Sequence, residues 1–152
     1  MSKPASSTRP QARPPGPPTA GRHPWRRTFV VAESAIAASA LLGTVMLLTG
    51  TAVPDVGQLS SLGLHSWVLP GLWLAASVAV PSAAAAWAAV VRWPGTPAVV
   101  LVASALLLVE LGVQVPFLGF DPLQVIMGVS AVGLAALAWH ARRQGWVAPR
   151  SR

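Results

Sequence analysis

The chain holds four acidic residues, Glu33, Asp55, Glu110 and Asp121, and two of them fall inside long apolar runs. Glu110 stands near the middle of the run Ala98 to Leu118, with Gln114 one turn later and Pro116 just beyond it. Residues at that spacing share a helix face, so Glu110 and Gln114 line up with Ala103 and Leu107. A proline at 116 also deprives the carbonyl of Gly112 of its helical donor. A carboxyl, an amide and a free carbonyl are thereby gathered within about two turns.

Two chemistries suit such a cluster at bilayer depth. In one, Glu110 exchanges a proton with a substrate, assisted by Gln114 and Glu33, as in a small proton-coupled transporter or exporter. In the other, a neutral Glu110 and Gln114 hydrogen-bond neighbouring helices and fix their packing, worth roughly 0.6–2 kcal/mol each. Packing is the leading expectation, because no second acid falls at the same depth and no broken-helix repeat accompanies it. Glu33 lies about one and a half turns inside the first apolar run, near Arg26 and Arg27, where it can snorkel towards the interface.

Enzymatic motifs are lacking. His23, His65 and His140 fall in the head, a loop and the edge of the last run, so no pair faces each other as haem ligation needs. The chain contains no HExxH, no GxSxG, no Gly-rich phosphate loop and no cysteine. Asp55 and His65 share a loop and could bind a metal weakly, but a turn-forming Asp and an interfacial His are the leading expectation. No catalytic residue, metal or cofactor is expected, and the chain is read as a non-enzyme.

What must position these side chains is a set of four apolar runs. Of the 152 residues, 53% are hydrophobic and only 10% charged, against roughly 25% charged in an ordinary soluble domain. The run around Glu110 contains thirteen Val, Leu or Phe residues. Each favours insertion by about 0.3–0.6 kcal/mol, and together they outweigh the roughly 3 kcal/mol that a midplane carboxylate costs. Spans are predicted at about 28–48, 67–91, 98–118 and 123–140. Short connections then force an antiparallel up-down bundle, an all-α membrane protein. Prolines 81 and 116 are expected to kink the second and third spans. Small residues at Ala35, Ser39 and Gly43, and at Ala75, Ala79 and Ala83, suggest stripes for close helix approach.

Residues 1–27 form a Pro- and Arg-rich head, predicted to be disordered, and 141–152 a basic tail. Pro14 to Pro18 carry overlapping PxxP spacings that suit a polyproline II docking peptide or a solvated tail near anionic headgroups. A net charge of +7 is compatible with nucleic-acid binding, yet the basic residues flank apolar runs instead of decorating one face. Six Lys or Arg precede the first span, one lies in the turn at Arg92, four end the chain, and the two alternate loops have none. That asymmetry predicts both termini in the cytoplasm. Tryptophans and phenylalanines cluster at the span ends, as interfacial belts do. Arg26-Arg27-Thr28-Phe29-Val30 is similar to a twin-arginine export signal, with Gly50-Thr51-Ala52 as a cleavage site. Its apolar run is longer than the 7–15 residues typical of a signal, so a retained span is expected.

Pro54 to Gly57, Pro70 to Leu74, Glu110 with Gln114, and Pro122-Leu123-Gln124 together resemble a group of small bacterial four-helix membrane proteins with no established activity. Those proteins often carry Trp before the acid, where this chain has Val109. The likeness spans roughly 30–140 and implies fold and location. Small multidrug exporters also place an acid in their first helix, as Glu33 is placed here. The expectation is a multi-pass protein of a bacterial plasma membrane, with lipid and a second copy or another membrane protein as partners.

Overall fold

The computed structural model describes residues 25–51, 53, 55–57, 59, 63–119 and 121–144, with only the backbone of 116–118. The regular elements among them are helical. They are α1 (Trp25–Thr49), α2 (Val68–Leu74), a π-helical turn (Ala75–Ala79), α3 (Val80–Val90), α4 (Thr96–Leu118) and α5 (Pro122–Arg143). The α2, π and α3 segments run on as one rod, Val68–Val90. With α1, Thr96–Val115 and α5 it makes four helices long and apolar enough to cross a membrane. The shortest has 20 residues, which at 1.5 Å each is about 30 Å, the thickness of a hydrocarbon core.

The disordered head expected over 1–27 falls outside the described residues up to 24. Trp25, Arg26 and Arg27 are helical instead, because α1 begins three residues before the apolar run does. At the other terminus α5 continues to Arg143, and residues 145–152 are outside the described set.

Helix α1 packs along α2, the π turn and α3, α3 packs on α4, and α4 packs on α5. Contact between α5 and α1 is sparser and includes the rings of Trp25 and His140, edge to face with centroids 6.3 Å apart. Eight of the fourteen residues in the buried core are alanine. Small side chains let the backbones approach, which is how helices associate when no hydrophobic force drives them together. Leu41, Leu42, Leu69, Ile126, Val129 and Val132 face outward instead. An apolar exterior around a small-residue interior is what lipid tolerates and water penalises.

Gly71 marks the tightest approach of α2 to α1. A Cβ there would lie 3.1 Å from the Leu47 Cβ and 3.5 Å from the Thr44 carbonyl. The stripe expected at Ala35, Ser39 and Gly43 is not the packing face, since Ala35 and Ser39 are exposed and Gly43 alone approaches Leu74. The buried face carries Phe29, Glu33, Ile36, Ala37, Ala40 and Thr44. Every face of α1 is apolar enough for lipid, so periodicity did not select one; the buried carboxyl did. The Ala75, Ala79 and Ala83 stripe is broken because the π turn shifts the register, leaving Ala79 buried and Ala83 exposed.

Hydrogen bonds to helix ends fix the relative levels of the rods. Arg26 at the start of α1 donates from Nε to the Ala89 carbonyl and from Nη2 to the Val90 carbonyl, both at 3.0 Å. Those carbonyls have no helical donor of their own at the end of α3. Thr96, fully buried at the start of α4, shares its hydroxyl proton between the carbonyls of Ala88 (3.0 Å) and Trp93 (2.6 Å). Asp121 caps α5 by accepting from the Leu123 N–H at 2.7 Å, and Gln124 accepts in return from the Asp121 N–H at 3.3 Å.

Candidate functional site

Two groups of polar side chains inside the bundle include a carboxyl, and they lie at different levels. At the first, Glu110 on α4 is 6% exposed and has both carboxyl oxygens occupied. Oε2 accepts from the Trp73 indole Nε1–H at 2.7 Å and from the Ser77 hydroxyl at 3.1 Å. Oε1 accepts from the Gln114 amide at 3.1 Å. Trp73 is 58% exposed, so its ring body lies on the outside of the bundle while its N–H reaches inward. Ser77 also donates to the Trp73 carbonyl at 2.8 Å, sharing one proton between two acceptors. The i, i+4 bond between Gln114 and Glu110 follows from their spacing; Ala103 and Leu107 lie buried on the same side.

The π turn ends two residues before Pro81 and contains Ser77. Proline removes a backbone donor, and a π turn absorbs the mismatch by bonding across five residues, as the Val80 N–H does to the Ala75 carbonyl. The break expected at Pro81 therefore takes the form of a wide turn that carries a Glu110 ligand. At Pro116, α4 remains helical to Leu118 and ends at Gly119, whose φ is +74°.

The second level is nearer the basic end of the bundle. Glu33 is 1% exposed, so it does not snorkel: its carboxyl accepts a hydrogen bond from Ser82 on α3. Arg26 in that first turn is committed to the end of α3, and Arg27 beside it is exposed. Glu33 Oε1 and the Ser104 Oγ on α4 are the buried side-chain oxygens without a hydrogen-bond partner among the described residues.

The structure brings Glu110 and Gln114 together and holds Glu33 apart from them, on another helix and at another level. Sequence reasoning assigned Trp73 to an interfacial belt and passed over Ser77, Ser82 and Ser104. The signal for the first two was their own i, i+4 spacing, which puts an indole donor and a hydroxyl on one face. Asp55 is used locally, accepting from the Gly57 N–H at 2.6 Å. Among the described residues no three His, Asp or Glu side chains gather in a metal-holding group. At the rim, the Arg143 guanidinium lies 5.0 Å over the Trp139 ring, a cation–π contact.

No protein-family model matches the chain, and neither a characterised protein nor a solved structure matches it. Function is therefore argued from the residues.

Proposed function

We propose that the chain is a multi-pass protein of a bacterial plasma membrane with a structural or partner-binding role, its intramembrane polar groups holding the helices in register. The four spans run antiparallel, up and down, with both termini and the Arg92 turn in the cytoplasm. Eleven basic residues on one side against none in the opposite loops support that orientation. The bonds from Arg26 and Thr96 to the end of α3 support the alternation. Lipid is the surrounding partner, and a second copy or another membrane protein is the macromolecular one.

The observation that carries the reading is Glu110 held by three side-chain donors, two from the rod Val68–Val90 and one from its own helix. At the roughly 0.6 kcal/mol typical of such bonds in membranes, releasing the carboxyl costs about 2 kcal/mol. That suits a group kept in place better than one freed in every cycle. Glu110→Leu should lower the unfolding midpoint in detergent. Glu110→Gln in proteoliposomes should leave any flux under a pH gradient as in the native protein. Loss of a proton-linked flux in that variant would transfer the assignment to a transporter. Reporters fused at Gly57 and Gly119 should both read as external.

A further inference from the structure

We propose that Glu33, Ser82 and Ser104 form a buried binding site for one small, hard, monovalent cation, a sodium ion or a proton. This goes beyond the packing role, which Glu110 fills. The three side chains stand in one layer. Glu33 is eight residues from the start of α1, Ser82 eight from the end of α3, and Ser104 eight from the start of α4. Those ends are themselves level, because Arg26 bonds the carbonyls of Ala89 and Val90 while Thr96 bonds that of Ala88. Each side chain therefore lies about 12 Å from the basic end of the bundle.

The layer is buried and incompletely bonded. Exposure is 1% for Glu33, 1% for Ser82 and 2% for Ser104. Ser82 serves one side of the Glu33 carboxyl, and Oε1 is left without a donor, as is the Ser104 hydroxyl. Buried polar atoms in folded proteins almost always have partners, so two orphans in one layer, on the two helices that both pack against α3, call for a guest between the helices. A lone buried carboxylate is too costly to stand uncompensated.

Among the described residues nothing supplies the compensation. On α1, Arg26 is bound to the end of α3 and Arg27 is exposed in the first turn. The rod Val68–Val90 has no titratable residue. On α4 the nearest is Glu110, six residues beyond Ser104 and bonded elsewhere. On α5, His140, Arg142 and Arg143 sit at the basic rim, with His140 against Trp25. One negative charge with hydroxyl oxygens around it matches one positive charge. Oxygen donors of this kind favour hard cations over the softer metals that seek thiolate or imidazole.

The test uses the full chain in lipid nanodiscs, unfolded at a series of sodium chloride concentrations with choline chloride keeping ionic strength constant, and repeated across pH. A sodium site lowers the unfolding constant in proportion to 1 + [Na⁺]/Kd, about a hundredfold at 100 Kd. A proton site gives stabilisation by acid that is indifferent to sodium. In either case the response should vanish in Glu33→Gln, weaken about tenfold in affinity in Ser104→Ala, and survive in Glu110→Gln. Stability indifferent to both cations, or a response retained in Glu33→Gln, overturns the site. Should Glu33→Gln fail to fold, infrared spectra of Glu110→Gln decide. The Glu33 carboxyl band should then change with sodium or pH and shift on Ser104→Ala, and a band unmoved by all three refutes the proposal.

Discussion

Replacing Trp73 by Phe isolates the bond that ties the rod Val68–Val90 to α4. The indole is 58% exposed, so most of its ring meets the surroundings of the bundle and a phenyl ring replaces that contact. What is lost is the Nε1–H donated to Glu110 at 2.7 Å, a short bond to a carboxyl that is only 6% exposed. Bonds between membrane helices average about 0.6 kcal/mol and reach about 1.7 at the strong end. Short geometry and burial put this one in the upper half, so Trp73→Phe should cost about 1–1.5 kcal/mol. Glu110→Leu removes three bonds at once and leaves the Trp73 and Gln114 donors unmet, so it should cost about 2–3 kcal/mol. The pair is best measured as a double-mutant cycle, by reversible unfolding in mixed detergent micelles followed by circular dichroism. In the Glu110→Leu background Trp73→Phe should become nearly neutral, with a coupling of about 1 kcal/mol. Equal costs in both backgrounds would show that the two side chains are independent, and the packing role of Glu110 would fall with them.

Other perturbations probe the elements that set the levels of the helices. Arg26→Ala removes two bonds to the open carbonyls of Ala89 and Val90 and a positive charge from a helix C-terminus. It should destabilise by about 1–2 kcal/mol in the same unfolding assay, and Arg26→Lys should recover part of that. Gly71→Leu places a side chain where even a Cβ would sit 3.1 Å from that of Leu47. Overpacking of about 1–3 kcal/mol is expected, together with loss of a cross-link engineered between α1 and α2. Asp121→Ala deletes the 2.7 Å cap on α5 and should cost about 1 kcal/mol, whereas Asp121→Asn should be nearly neutral.

The four helices were legible because lipid imposes a blunt requirement, apolar runs of about 20 residues. The spacing of Glu110 and Gln114 placed them on one face, where they bond, whereas the capping of α5 by Asp121 and Gln124 was passed over. Which face of each helix turns inward was less legible. In a soluble helix apolar periodicity marks the core, but here Leu41, Leu42 and Val45 face outward while Ala37 and Ala40 face inward. Hydrophobicity carries no directional information when the surroundings are as apolar as the core. Polar residues of α3 and α4, and the carboxyl of α1, carry it instead, although Ser34 and Ser39 on α1 are exposed. Glu33, Ser82, Ser104, Thr96 and Glu110 are all buried. Read alone, they would have oriented α1, α3 and α4. The burial of Glu33 escaped prediction because its arginine neighbours suggested a route to the interface, and nothing in the sequence revealed that Arg26 would be spent on Ala89 and Val90.

The π turn explains how one rod serves two glutamates on opposite neighbours. Before it, Gly71 lies against α1 and Trp73 reaches Glu110 on α4, and Ser77 within the turn reaches the same carboxyl. After it, Ser82 bonds Glu33 on α1, and Ala85, Ala86 and Ala89 continue the buried face. An uninterrupted α-helix advances about 100° per residue, and a π turn sets that phase back by roughly one residue. The lower half of the rod can therefore present Ser82 and its alanines without dragging Ser77 away from α4. Pro81 stabilises the offset, since it supplies no N–H with which the regular ladder could re-form across the turn. Pro81→Ala restores that donor. It should draw Ala75–Ala79 towards regular α-helix and loosen the bonds to Glu110 and Glu33 together, two contacts that no single side chain links directly.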